Sequence, residues 1–288
     1  MMRSAPNGRT PDMPHLFCFG LGYSAKALAR RLTARGWTIT GTSRTGGDGT
    51  IAFDGLAPLP AGYFDGVTHL LISVPPTENG DPVLSCHANE LRQLLPSLEW
   101  AGYLSTTGVY GDRHGGWVDE TSPLKPSTAR GHRRLAAETE WLKLGLPLDI
   151  FRLASIYGPG RNQLVSILDG TAKRIVKEGQ IFSRIHVEDI AGVLEASIAK
   201  LQPGRAYNVC DDEPCPPQDV VAFAARLLKR PPPPEIAFDD AELSPMAKSF
   251  YAESKRVSNQ RIKTELGYRL IYPTYREGLA SLLASLPA

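Results

Sequence analysis

Gly20, Gly22 and Ala25 stand at the spacing G-x-G-x-x-G/A. They are preceded by a mostly apolar run, His-Leu-Phe-Cys-Phe at 15–19, and followed by an apolar stripe at Ala25, Leu28, Ala29 and Leu32. The pattern reads as strand, tight turn and amphipathic helix, the helix stopping near Gly36. Each small residue has its own task. Gly20 permits a turn that a side chain would oppose, and Gly22 lets backbone N–H groups come close to a pyrophosphate. Ala25 lets the helix lie against the strand. Tyr23 and Ser24 begin that helix, where free amides and the positive end of the dipole attract an anion. The chemistry expected here is capture of a dinucleotide's phosphates, against the blander reading of an ordinary strand-to-helix corner.

The ribose is addressed next. In the NAD version of this arrangement an Asp or Glu, about 20 residues past the glycines, binds the 2′-OH. A second strand is expected at 38–42, and the stretch 41–45 reads Gly-Thr-Ser-Arg-Thr, with no carboxylate before Asp48. Ser43 and Arg44 suit a 2′-phosphate, which arginine binds bidentately. NADP is therefore favoured over NAD, the bland reading of Arg44 being a solvated loop residue. A third strand at 51–53 leads to Asp54, placed to sit by the adenine. A fourth at 68–74 is apolar enough for burial on both faces of a parallel sheet. It ends in Val74 and Pro75-Pro76, at the carboxyl edge where the cofactor would lie.

Positioning these groups requires alternating elements. A helix is expected within 81–95, a fifth strand at 102–106, a long helix at 128–144 and a sixth strand at 148–153. Five or six strands with intervening helices specify an α/β fold, a Rossmann-type doubly wound parallel sheet. The remainder reads as a helix at 162–177, an amphipathic helix at 217–229, a stiff proline connector at 231–234 and a short strand at 235–238. Three parts follow: a core over 15–160 to which 184–212 returns, a small C-terminal substrate lobe from 161–183 and 213–288, and an arm at 1–14 expected to be flexible.

Composition narrows the function. A chain of 288 residues suits one large domain or a core with a lobe, and 42% hydrophobic content is ample for a sizeable core. A net charge of +2 argues against a nucleic-acid surface. Four cysteines without a framework suit a reducing compartment. Cys210 and Cys215 lack a second ligand pair, so no metal site is expected. No apolar run reaches the length of a membrane span, and 1–14 lacks the apolar core of a signal peptide. A cytoplasmic protein with a small-molecule substrate, and no nucleic-acid or membrane partner, is the expectation.

Further motifs carry a resemblance. Ser105-Thr-Thr-Gly-Val-Tyr-Gly111, the segment Phe151-Arg-Leu-Ala-Ser-Ile-Tyr-Gly-Pro-Gly-Arg161, Arg184-Ile-His-Val-Glu-Asp189 and Tyr207-Asn-Val209 occur in that order. Together with 255–267 and 272–278, which resemble closing helices, they make the chain similar to extended short-chain dehydrogenases/reductases, the epimerase/dehydratase group. The resemblance implies hydride transfer with a nicotinamide cofactor, a Ser/Thr that orients the substrate oxygen, and a Tyr-x-x-x-Lys pair on the long helix. Thr106 matches the Ser/Thr. The helix reads Arg130-Gly-His-Arg-Arg134-Leu-Ala-Ala-Glu138, which puts Arg130 at the tyrosine position and Arg134 at the lysine position.

That departure has chemical consequences. Arg134 can give the lysine's hydrogen bonds and fixed charge to a ribose. Arg130 cannot exchange a proton near neutral pH, its pKa lying above about 12. The positions after Thr106 are Thr107 and Gly108, not the Asp and Glu of sugar-nucleotide dehydratases. The chain thus resembles the atypical members of the superfamily. Tyr110 is the candidate acid/base nearest Thr106, with His132, Tyr157 and His186 behind it; each also has an ordinary structural reading. Two functions stay open: an NADP-preferring oxidoreductase or epimerase on a small polar or sugar-like substrate, and a non-catalytic NADP(H)-binding sensor or scaffold. Chains of this superfamily often pair as homodimers through the helices at 81–95 and 128–144, and the resemblance implies the same here.

Overall fold

The computed structural model describes residues 13–286, so the arm read at 1–14 falls almost wholly outside the described residues. The first half alternates regularly: β1 (His15–Phe19), α1 (Tyr23–Thr33), β2 (Thr38–Ser43), β3 (Ile51–Ala52), β4 (His69–Ile72), α2 (Pro82–Leu94) and β5 (Trp100–Thr106). A short strand β6 (Trp117–Val118), helix α3 (Ala129–Leu142) and strand β7 (Leu148–Leu153) complete it. The second half is more broken. It holds β8 (Ser155–Tyr157), α4 (Gln163–Leu168), β9 (Arg174–Val176), β10 (Arg184–His186), α5 (Val187–Ala199) and β11 (Ala206–Val209). Then follow α6 (Pro217–Leu227), β12 (Glu235–Ala237), α7 (Pro245–Tyr251), β13 (Arg256–Val257), α8 (Gln260–Thr264) and α9 (Tyr275–Leu283).

Seven strands form one parallel sheet in the order β11-β7-β5-β4-β1-β2-β3, one more than the larger count expected from the sequence. Chain order reverses between β1 and β4, the switch point at which doubly wound sheets bind ligands. Alternation along β1 builds the two faces. Leu16 and Cys18 pack with α1 and α5, whereas Phe17 and Phe19 pack with α2 and α3. A third, smaller core joins α4, α6 and α9 around Leu164, Val220, Ala224 and Leu279. The helix read across 162–177 stops at Leu168: Asp169 and Gly170 end it, and 174–176 becomes a strand paired with β12. β-branched Ile175 and Val176 favour that outcome once a partner strand is present. The stretch 255–267 likewise holds a two-residue strand and a five-residue helix.

A buried polar network ties the sheet to α3. Glu138 accepts from Arg152 Nε at 3.2 Å and Nη2 at 2.9 Å, and it also accepts from Ser105 Oγ. Arg152 Nη1 donates to Tyr110 Oη at 3.0 Å, and Tyr110 donates to Asn208 Oδ1 at 2.7 Å. Glu138 and Arg152 are only 2% and 5% exposed, so each charge depends on the other. Replacing Arg152 by Met strands a buried carboxylate and is expected to cost about 3–5 kcal/mol in urea unfolding. The double variant Arg152→Met, Glu138→Gln recovers part of that loss; equal stability of wild type and the single variant contradicts the assignment.

Candidate functional site

The glycine turn follows from local sterics. Gly20 adopts φ +85°, and a Cβ there would lie 3.1 Å from Val74 Cγ2 and 3.2 Å from Val74 N. Its N–H donates to Thr42 Oγ1 at 2.9 Å, and Leu21 N–H donates to Thr42 O at 2.7 Å, which fastens the turn to β2. Gly22 caps α1 without a side chain, and no side-chain hydrogen bond satisfies the first-turn amides. A Cβ on Gly22 meets nothing within 4 Å. Free amides beneath open space suit a diphosphate. Tyr23 Oη donates to Pro159 O at 3.0 Å, which brings the Gly158–Arg161 turn to the same place.

From there a cavity of about 350 Å³ runs along the carboxyl edge of the sheet. Ser24 of α1, Thr106 at the end of β5, Arg130 and Arg134 of α3, Phe250 of α7 and the basic residues Arg161 and Lys255 line it. Thr106 caps the short turn after β5, accepting from Gly108 N–H at 3.2 Å, so its own O–H remains a donor. Arg134 Nη1 donates to Leu104 O and reaches Tyr103 Oη at 3.5 Å. Its guanidinium lies 5.5 Å from the centre of the Tyr103 ring. The Arg130 guanidinium sits 4.4 Å from the centre of the Phe250 ring.

The structure gathers some of the residues expected from the sequence and disperses others. Thr106, Arg130, Arg134 and Ser24 share the cavity, and Gly20, Gly22, Tyr23 and Ala25 form the adjoining turn. Ser43 and Arg44 end β2, outside the cavity; Ser43 Oγ contacts Thr50 Oγ1 at 2.7 Å, and Arg44 is exposed. Asp54 is exposed and accepts from Leu56 N–H at 2.9 Å. Val74 packs on Gly20, with Pro75 exposed beside it. Tyr110 departs from expectation. It is fully buried in the network under the sheet edge, burial pushes its phenol up to about 12, and it does not line the cavity.

The weaker acid/base candidates are also placed elsewhere. His132 is exposed on the outer face of α3. Tyr157 is buried, donating to Thr274 O at 3.4 Å. His186 caps α5, its Nδ1 accepting from Glu188 N–H at 3.2 Å, and its ring lies between Tyr157, edge-on at 5.1 Å, and Tyr272, tilted at 4.1 Å. Sequence reasoning missed Phe250, Glu253 and Lys255. Lys255 Nζ donates to Glu253 Oε2 at 2.7 Å, and both side chains are 10% exposed. Ser244-Pro245, a capping hydroxyl before a first-turn proline, was a legible start for the α7 helix that carries Phe250.

No family model matches the chain. Protein YeeZ of Escherichia coli K12 is 30% identical over 287 residues, spanning 88% of this chain and 94% of its own. A structure of a functionally unknown conserved protein from Silicibacter pomeroyi is 52% identical, with a TM-score of 0.88 over 95% of this chain and 99% of that one. The human epimerase family protein with NADPH is 19% identical, with a TM-score of 0.73 over 95% and 100% of the two chains. With the parallel sheet and the turn already described, the assignment follows. The chain belongs to the extended short-chain dehydrogenase/reductase family. In this extended short-chain dehydrogenase/reductase the switch point, the glycine turn and the cavity are contiguous.

His186 gives the fold an acid sensitivity. Burial holds its imidazole down to about 4, and that of His69 likewise, against about 6.5 in an unfolded chain. The folded form binds fewer protons in that window, so stability is full above about pH 6.5 and falls as the pH drops towards 4. Between pH 7 and pH 5 the two histidines lower the melting temperature, while Asp149 and Asp211, raised by burial to about 6 and about 8, act in the opposite direction. His186→Asn, which can keep the helix cap, should therefore raise the melting temperature at pH 5 relative to that at pH 7, compared with wild type; an unchanged difference counts against the placement of His186.

Proposed function

We propose that this protein is an NAD(P)-dependent oxidoreductase or epimerase, NADP-preferring, acting on a small polar or sugar-like substrate. The observation that carries this reading is the continuity between the uncapped amides of α1 under open Gly22 and the cavity ending at Thr106 and Arg134. The dinucleotide, when bound, supplies hydride chemistry at its nicotinamide. The first-turn amides of α1 hold its diphosphate, and Arg161 adds a positive charge beside them. Ser43 and Arg44 receive a 2′-phosphate at the end of β2, a preference in keeping with the NADPH of the human neighbour. Arg134, pinned to Leu104 O and Tyr103, holds the nicotinamide-side ribose with a fixed charge. Thr106 turns its free O–H toward the substrate oxygen and orients it.

A second reading, a non-catalytic NADP(H) sensor or scaffold, draws support from one observation: neither tyrosine nor histidine is among the described residues that line the cavity. Turnover of a panel of aldehydes, ketones and nucleotide sugars separates the two readings.

NADPH fluorescence on titration tests the shared premise, and absence of binding up to millimolar NADPH or NADH defeats both readings. Arg44→Ala should weaken NADPH about tenfold or more and leave NADH nearly unchanged, the loss of a charge-assisted contact. Equal losses for both cofactors refute the 2′-phosphate assignment. Once a turned-over substrate is in hand, Thr106→Ala should lower kcat/KM by about 10²-fold. An unaltered kcat/KM removes Thr106 from the site.

A further inference from the structure

The charges around the cavity do not balance. Arg130, Arg134, Arg161 and Lys255 line it, and the one carboxylate among its lining residues is Glu253. The only ion pair among these described residues joins Lys255 to Glu253, which leaves three guanidiniums without a carboxylate partner. Two of them have work under the reading above, on which this inference rests. Arg161 lies near the start of α1, and Arg134 is pinned to Leu104 O and Tyr103. Arg130 has none.

Its position is one that local electrostatics opposes. Arg130 is in the first turn of α3, where the dipole repels a cation, and that turn contains no acidic residue. Arg134, one turn on, adds like-charge repulsion, and although Arg130 is itself exposed, partial desolvation still lowers the pKa of its guanidinium despite the opposing charge of Glu253. A cation kept against these forces marks a site where a ligand supplies the missing charge. The Arg130 guanidinium lies over the Phe250 ring, 4.4 Å from its centre, a cation–π contact that biases where its donors point, although Phe250 is itself 40% exposed. The cavity, about 350 Å³, is near the small end of ligand sites and must also admit a nicotinamide.

We infer that Arg130, backed by Phe250, receives the carboxylate of a small organic acid, so that the substrate is an anion recognised at the position where the family resemblance leads one to expect a tyrosine. The guanidinium gives two parallel N–H donors to a planar carboxylate, and no proton changes hands there. Arg130 is a specificity-determining residue, and the reacting oxygen lies with Thr106.

Calorimetric titration with malonate, its neutral counterpart malonamide and inorganic phosphate tests the assignment, in protein alone and in protein loaded with NADPH. Malonate is expected to bind at least tenfold more tightly than malonamide in both forms. Arg130→Gln should weaken malonate tenfold or more while NADPH affinity stays within twofold, and Arg130→Lys should retain an intermediate malonate affinity. Equal binding of malonate and malonamide, or malonate binding undiminished in Arg130→Gln, overturns the inference. Phosphate binding more tightly than malonate overturns the carboxylate class. Failure of NADPH to bind counts against the proposed function alone, because the malonate series in unloaded protein still decides the role of Arg130. If Arg130→Gln does not fold, the malonate–malonamide ratio in wild type and in Arg130→Lys decides it.

Discussion

The Glu138–Arg152 pair is the constraint around which the carboxyl edge of the sheet is arranged. Taking two charges out of water is costly, and only accurate mutual geometry with every hydrogen bond made offsets the cost. Here the pair and its partners span α3, β5, β7, β11 and the turn that holds Tyr110. A shift of any one of these elements would leave a buried polar group unsatisfied. The register of the sheet edge is therefore specified by polar chemistry as well as by apolar packing.

That constraint reaches the cavity directly. Arg130, Arg134 and Glu138 are four residues apart and so share one face of α3. With Glu138 anchored beneath, the two arginines are carried along the same stripe to the cavity above. Ser105 in the network is the neighbour of Thr106 in the site. One buried pair thus helps to fix both the Thr106 hydroxyl and the arginines that line the cavity with it. Tyr110, which the sequence offered as an acid/base, is used instead to complete the network, and burial keeps its proton in place.

The other half of the site is built by steric exclusion. Gly20 must have no Cβ because Val74 closes on it, and Gly158 has Tyr23 Oη at 2.6 Å and Val187 Cγ1 at 2.7 Å from where a Cβ would be. Through Tyr23 the two glycine turns, far apart in the chain, meet at the start of α1. The fold is that of the family, and the side chains at the carboxyl edge of the sheet are what remains to set the function. Function on such a scaffold is decided by those side chains.

Much of this was legible from the order of residues. The glycine spacing, the apolar period of α1 and the buried runs of the sheet are local signals, set by backbone sterics and by the periods of helix and strand, and they sufficed for the parallel doubly wound architecture. Element ends drifted by a few residues, and 162–177 was read as all helix because the pairing that turns 174–176 into a strand comes from Glu235–Ala237, far along the chain. The positions of Phe250, Glu253 and Lys255 opposite Arg130 were not legible either: no spacing joins residues 120 or so apart in sequence. Sequence alone determined which groups could bind phosphate and which arginines stood at unusual places on a helix. Only the tertiary structure decided that Tyr110 is locked in the core and that Arg130 lines a cavity with more cations than carboxylates, because burial and charge balance are properties of what the folded chain brings together.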